Sequence, residues 1–370
     1  MNKATLAKQL YLFVLQSLFC IGCFGQNEKI DGLKKLLPML KDSSLVDCLN
    51  DLSNSYIEVH TDSALLFASR AITEAERINY VRGQASAYYN LGFNERIVGT
   101  YPAMEKYATK AVALLKGEPT NKDELLLARS YELLGFSKWA QGKFDEALAS
   151  YKDAEKLTIK AGNESMLGLL YAAMGALEAQ RGQYKNSLEY CMKGLPLWRK
   201  PSSDPRGFIA ISLLYSTTGD YKTALDYCRE AHNIVKARGG VIRMYTYIGE
   251  AFYLMNQYDS AIYCYQLLRS HNKKLVSVSG MTEKFKQNSW PNSRMAEIYL
   301  DRGQYDTAIF YLSNALRYFE SITDRNQVMW TSLRLAKAYV AKGEYPLAVY
   351  NARKLLGVAR YTGARQYIRD

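Results

Sequence analysis

The sequence is poor both in residues that interrupt helices and in residues that do chemistry. Only 8 of its 370 residues are Pro. No Pro/Gly/Ser-rich stretch marks a linker, so one continuous helical architecture is expected rather than several tethered domains. His occurs three times, and His60, His232 and His271 fall near turns or at the end of a helix, where surface or capping roles suit them. There is no glycine-rich phosphate loop, no H-E-x-x-H and no G-x-S-x-G elbow, so the motifs of nucleotide binding, zinc proteolysis and serine hydrolysis are absent. The chain is read as a non-enzyme that needs no cofactor and no metal.

Long apolar runs are missing after the first 25 residues, so no span of the ~20 residues a bilayer requires follows them. Those 25 residues carry Lys3 and Lys8 ahead of an apolar run from Leu10 to Phe24, the layout of a secretory signal peptide. Cleavage after Gly25 is expected, with lipidation at Cys23 or Cys20, or an uncleaved anchor, as rivals. The exported form would face the periplasm or the cell surface. Acidic residues are also in deficit, 36 Asp and Glu against 48 Lys and Arg. Removal of the signal lowers the net charge from +12 to +10, which suits an acidic partner as well as it suits a solvated basic surface.

What the sequence does contain is a repeat. Gly99-Thr-Tyr101, Gly142-Lys-Phe144, Gly182-Gln-Tyr184, Gly219-Asp-Tyr221, Asn256-Gln-Tyr258, Gly303-Gln-Tyr305 and Gly343-Glu-Tyr345 recur along the chain. Small or slim residues follow each aromatic by three positions (Met104, Ala147, Ser187, Ala224, Ala261, Ala308, Ala348). Others precede each turn by seven (Gly92, Gly135, Gly175, Ser212, Gly249, Ala296, Ala336). A left-handed residue that ends a helix favours Gly and tolerates Asn, and small residues on both sides let two helices cross closely. The unit is therefore helix, turn, helix.

These features resemble the tetratricopeptide repeat family, most clearly in Tyr131-Glu-Leu-Leu-Gly135, Gly142-Lys-Phe144-Asp-Glu-Ala147, Tyr151 and Ala154. The resemblance covers at least residues 84–358 and implies an all-α, right-handed α-solenoid of about eight helix pairs. The units lie near 45–82, 84–117, 128–162, 168–200, 205–238, 242–272, 289–322 and 329–361. An N-terminal helix or cap at 26–44 precedes them, and 361–370 would start a further, incomplete helix. The first unit is degenerate, with Asp62-Ser-Ala64 and Ala71 but no Gly-x-Tyr turn. Successive turn residues lie 43, 40, 37, 37, 47 and 40 apart, against about 34 in the family, and the largest excess is read as an extended loop at 270–292.

The opening Asp31-Gly-Leu-Lys-Lys-Leu-Leu and the later Asp62-Ser-Ala-Leu-Leu-Phe-Ala also resemble the exported repeat regions of Bacteroidetes-type sensor kinases and regulators. Two functions stay open: a self-contained scaffold that binds a protein or peptide, or the sensory portion of a signalling protein whose output domain lies outside this chain. No nucleic-acid partner is expected, because the many Tyr belong to the turn motif, and the oligomeric state is left open.

In the family the first helix of each pair lines an inner surface where partners lie. Six residues before the Gly or Ala of each first helix stand Ser86, Arg129, Leu169, Arg206, Arg243, Trp290 and Trp330. Neighbouring rows add Tyr89, Phe93, Arg96, Glu132, Phe136, Trp139 and Tyr253. Arg and aromatic side chains are the common anchors of interfaces, so the candidate site is a groove with a cationic middle and an aromatic end. The Lys and Asn clamp by which some members hold a C-terminal carboxylate is missing, since Glu132, Phe136, Ala172 and Ala176 occupy those places. Cys191, Cys228 and Cys264 take nearly the same register in successive second helices, about 8–10 Å apart. That is beyond disulfide reach, so these residues and Cys48 are expected as buried thiols.

Overall fold

A computed structural model describes residues 26–57, 60–116, 121–200, 207–237, 244–279, 289–321 and 325–362. Residues 1–25, on which the signal was placed, lie outside them, as do 363–370 of the further helix expected at 361–370, whose first two residues, Tyr361 and Thr362, instead end the preceding second helix. Among the described residues there are seventeen α-helices and no strand. They are α1 (Gln26–Leu36), α2 (Asp42–Tyr56), α3 (Thr61–Arg77), α4 (Val81–Val98), α5 (Tyr101–Leu115), α6 (Asn121–Ala140), α7 (Phe144–Lys160), α8 (Glu164–Gln180) and α9 (Tyr184–Trp198). Then come α10 (Gly207–Thr218), α11 (Tyr221–Ala237), α12 (Met244–Leu254), α13 (Tyr258–Ser279), α14 (Ser289–Asp301), α15 (Tyr305–Ser321), α16 (Arg325–Lys342) and α17 (Tyr345–Thr362). From α2 onward they alternate as the first and second helices of successive pairs.

All seven expected turn residues have positive φ, from 60° at Asn256 to 89° at Gly219. The carbonyls left over at the helix end are met by a recurring bond: the residue after the turn donates its N–H to the carbonyl five positions earlier. Lys143 reaches Lys138, Gln183 reaches Glu178, and Gln304 reaches Tyr299, at 2.8–2.9 Å, the bonding that closes a Schellman end. Helix crossing needs the small residues. A Cβ on Gly135 would stand 2.8 Å from the Tyr151 ring and 3.2 Å from the Ala147 carbonyl oxygen.

The chain divides within α8 into two compact units, one ending at Leu177 and one beginning at Glu178. In the N-terminal unit one core gathers Leu49, Leu52, Phe67 and Ala71 from α2 and α3 with Ala87 of α4. In the C-terminal unit Ala308, Leu312, Ala315 and Leu316 of α15 pack with Val328, Trp330 and Leu335 of α16. Of the loop expected at 270–292, the described residues 270–279 and 289–292 are helical, and 280–288 lie outside the described residues. The second helix α13 runs on to Ser279, and α14 starts at Ser289 with Pro291 in its first turn, where a missing N–H costs nothing. The long spacing between turns is thus taken up partly by a 22-residue helix.

Candidate functional site

On the first helices of the N-terminal unit, several candidate groove residues form a closed cluster. The Arg96 guanidinium lies 3.8 Å from the Phe136 ring centroid, and its Nη1 donates to Glu132 Oε1 at 3.0 Å. Trp139 sets its edge against Phe136. Arg96, Glu132, Phe136 and Trp139 are all buried. A buried charge is tolerated only when paired, and here the carboxylate and the ring face share that task. Phe93 and Tyr89 are half-buried at the edge of the cluster, and Arg129 is exposed. Burial, reinforced by the Glu132 carboxylate, pushes the Tyr89 hydroxyl up to about 12 against the opposing Arg129 and Arg96 charges.

The C-terminal unit carries a longer ionic ladder across three consecutive first helices. Arg294 of α14 grips Glu250 of α12 with two bonds of 2.6 Å and Glu297 on its own helix at 3.0 Å. Glu297 in turn accepts from Arg334 of α16, and Tyr265 donates to Glu250 at 2.7 Å. Burial opposes the charge on Arg294, but Glu250 and Glu297 outweigh it and raise the guanidinium above its ordinary value. Both guanidiniums lie over the Trp330 ring, at 3.6 Å for Arg334 and 5.0 Å for Arg294. Two carboxylates thus balance two cations.

The candidate groove residues therefore divide. Arg96, Phe136, Trp139 and Trp330 do not project into an open groove. They are buried, because paired charges and ring faces close the first-helix surface around them. Tyr253 is half-buried and donates to Asp301 Oδ2 at 2.8 Å. Arg206 and Arg243 lie outside the described residues, as does the side chain of Trp290. The sequence reading missed the Glu250–Arg294–Glu297–Arg334 ladder. Its signal was present: an acid six residues before the turn in two successive repeats, and an Arg nine before it in the second of these and the next.

Catalytic geometry does not assemble among the described residues. No group of three or more His, Cys, Asp or Glu could hold a metal ion. Cys48, Cys191, Cys228 and Cys264 are buried and outside any disulfide, and burial pushes the thiols of Cys191 to about 12 and of Cys228 to about 11, far from nucleophile range. His60 caps α3, its Nδ1 accepting from the Ser63 N–H at 3.2 Å. No described helix is long and apolar enough to cross a membrane.

Residues 83–160 and 288–360 match the tetratricopeptide repeat family. These segments are tetratricopeptide repeats. The tetratricopeptide-type pairing extends beyond them, through the same turn geometry at Gly182, Gly219 and Asn256. No curated protein matches the sequence. Among solved structures, a Rap protein complexed with Competence and Sporulation Factor is similar over 98% of this chain and 98% of that chain, with 12% identity and a TM-score of 0.58. Aspartyl phosphate phosphatase F from Bacillus subtilis is similar over 88% of this chain and 96% of that one, with 12% identity and a TM-score of 0.54. A tetratricopeptide repeat protein from Parabacteroides merdae matches over 82% of this chain and 98% of that one, with 16% identity and a TM-score of 0.49. At these identities the likeness is one of fold.

Proposed function

We propose that this chain is an exported, non-catalytic scaffold that binds an acidic protein or peptide on the first-helix face of its tetratricopeptide repeats. The observation that carries the reading is the repeat itself: within each compact unit, successive helix pairs set their first helices side by side. A Rap protein of the same fold has been crystallised in complex with Competence and Sporulation Factor, so the architecture accommodates a bound partner. The basic balance of the chain supports an acidic one.

Within the face the roles differ. Arg129, exposed and near enough to Tyr89 to act on its hydroxyl, is an accessible cation of this face, and Arg206 and Arg243 continue its register in the sequence. Arg96, Phe136 and Trp139 are buried.

The test is capture of proteins from extracts of the producing cell by the immobilised chain and by its Arg129→Ala/Arg206→Ala/Arg243→Ala variant. Capture of an acidic partner should weaken at least tenfold while helicity by circular dichroism is unchanged. Equal capture by both would remove the reading.

A further inference from the structure

A surface distinct from the first-helix face lies on the outward side of the second helices of the C-terminal unit. Five residues after the turn aromatics Tyr258, Tyr305 and Tyr345, helices α13, α15 and α17 carry Tyr263, Phe310 and Tyr350. These rings are 61%, 64% and 58% exposed. The register itself faces solvent: in the four pairs before them the same position holds Lys106, Ala149, Glu189 and Asp226, all exposed. Since α13 and α15 are each followed by a further helix pair, the exposure belongs to the register. A single exposed ring needs no explanation. Three at one register in successive repeats form a line, because stacked repeats set equivalent positions side by side.

Most of the charges along the line are already paired. Asp259 and Asp306, one turn before Tyr263 and Phe310, bond the next repeat's Arg302 at 2.7 Å and Lys342 at 2.8 Å. Lys354, one turn after Tyr350, bonds Glu320 at 2.6 Å and stands 5.2 Å from the Tyr350 ring centroid, which holds that ring in place. Phe310 meets Tyr311 edge to face, with 5.6 Å between centroids. About one turn to either side of the first two rings stand Ser260 and Gln266, and Thr307 and Ser313, and the exposed Arg353 stands beside the third. The hydroxyls and the amide donate and accept hydrogen bonds without charge.

Exposed rings set among uncharged hydrogen-bonding groups fit a sugar chain. A pyranose with equatorial hydroxyls presents its axial C–H bonds as a flat apolar face and its hydroxyls as a polar edge. An aromatic ring takes the face through dispersion and weak C–H contacts, and the neighbouring hydroxyls and amide take the edge. A β-linked chain of such sugars repeats that face along its length, as the rings repeat from helix to helix. A nucleic-acid strand also stacks on rings but needs a cationic groove for its phosphates, and Arg302, Lys342 and Lys354 are engaged by carboxylates. A partner protein would need an apolar patch at the centre of its interface, whereas these rings stand on separate helices among polar side chains. We infer that the second-helix face of α13, α15 and α17 binds an extended, uncharged β-linked polysaccharide, with Tyr263, Phe310 and Tyr350 each stacking on a sugar.

The test is affinity electrophoresis of the full chain in native gels that contain hydroxyethylcellulose, glucomannan or arabinoxylan. At least one of the three should retard it, and Tyr263→Ala/Phe310→Ala/Tyr350→Ala should weaken that binding at least tenfold with helicity by circular dichroism unchanged. Phe310→Tyr, which keeps a ring, should be retarded like the parent. So should the Arg129→Ala/Arg206→Ala/Arg243→Ala variant, which separates this surface from the first-helix reading. Retardation by none of the three, or retardation that the triple aromatic variant keeps, overturns the inference. So does binding of oligo(dT) or of phosphatidylglycerol vesicles, or self-association, that the triple aromatic variant abolishes while no glycan binds, since a nucleic acid, a lipid surface or a second copy would then occupy the line.

Discussion

The Arg96 guanidinium stands 3.8 Å from the centroid of the Phe136 ring on the next first helix. Because Glu132, one turn away, accepts from the same guanidinium, one side chain ties two repeats by both charge and stacking. Lys keeps the charge but loses the planar fork, so Arg96→Lys should cost about 1–2 kcal/mol. Arg96→Met, which leaves Glu132 buried without this partner, should cost about 3 kcal/mol or more. Urea denaturation of the two variants checks the order, and equal losses would show that Glu132 does not depend on the pair.

The ladder makes a comparable prediction about connectivity. Arg294 bonds both Glu250 and Glu297, and Arg334 bonds Glu297, so Arg294→Ala should destabilise the C-terminal unit more than Arg334→Ala, the latter by about 3 kcal/mol. Hydrogen exchange of α12, α14 and α16 in each variant reads the difference. Arg334→Ala should leave α12 protected, whereas Arg294→Ala should loosen all three.

At the turns, φ is +79° at Gly142 and +60° at Asn256. Gly142→Val should therefore cost more than Gly142→Asn, the difference being on the order of 1 kcal/mol. Asn256→Gly should be close to neutral and Asn256→Ala destabilising. Thermal melting of the four variants tests this ranking.

Alkaline pH should destabilise the fold through its buried thiols. Burial raises Cys191 to about 12 and Cys228 to about 11, from an ordinary 9.0. The folded state therefore holds protons that the unfolded chain releases. The stabilising contribution is complete below about pH 9 and is lost as pH rises through 11–12, at up to ~1.4 kcal/mol per pH unit for each thiol. Stability measured between pH 8 and 11 should fall, and Cys191→Ala should fall less steeply over the same range.

Export is tested at the N-terminus. Residues 1–25 fused to a reporter that is active only outside the cytoplasm should give activity, and the mature chain should begin at Gln26 by mass spectrometry. A lipid-sized mass on Cys23 or Cys20 would establish anchoring instead.

The helix pairs were legible because each turn depends on one residue whose backbone needs are visible in its identity, such as Gly142 or Asn256. Crossing distance likewise shows as an absent side chain, as at Gly135 against Tyr151. The extension of α13 to Ser279 was hidden, since polar residues at 270–279 suit a solvated helix as well as a loop. The groove was harder to read. Register placed Arg96, Phe136 and Trp330 on the inner face, but whether such residues face solvent depends on what the neighbouring repeat supplies. Here Glu132, Arg294 and Arg334 close over them. An exposed anchor and a buried ion pair use the same amino acids at the same spacing.

The most direct test of the scaffold reading is site-specific photocrosslinking in the producing cell, with p-benzoylphenylalanine at Arg129 on the first-helix face or at Lys152, an exposed position on the second helix α7. The account predicts a discrete protein adduct from position 129 and none from 152. Adducts of equal yield from both positions, or none from 129, would contradict it.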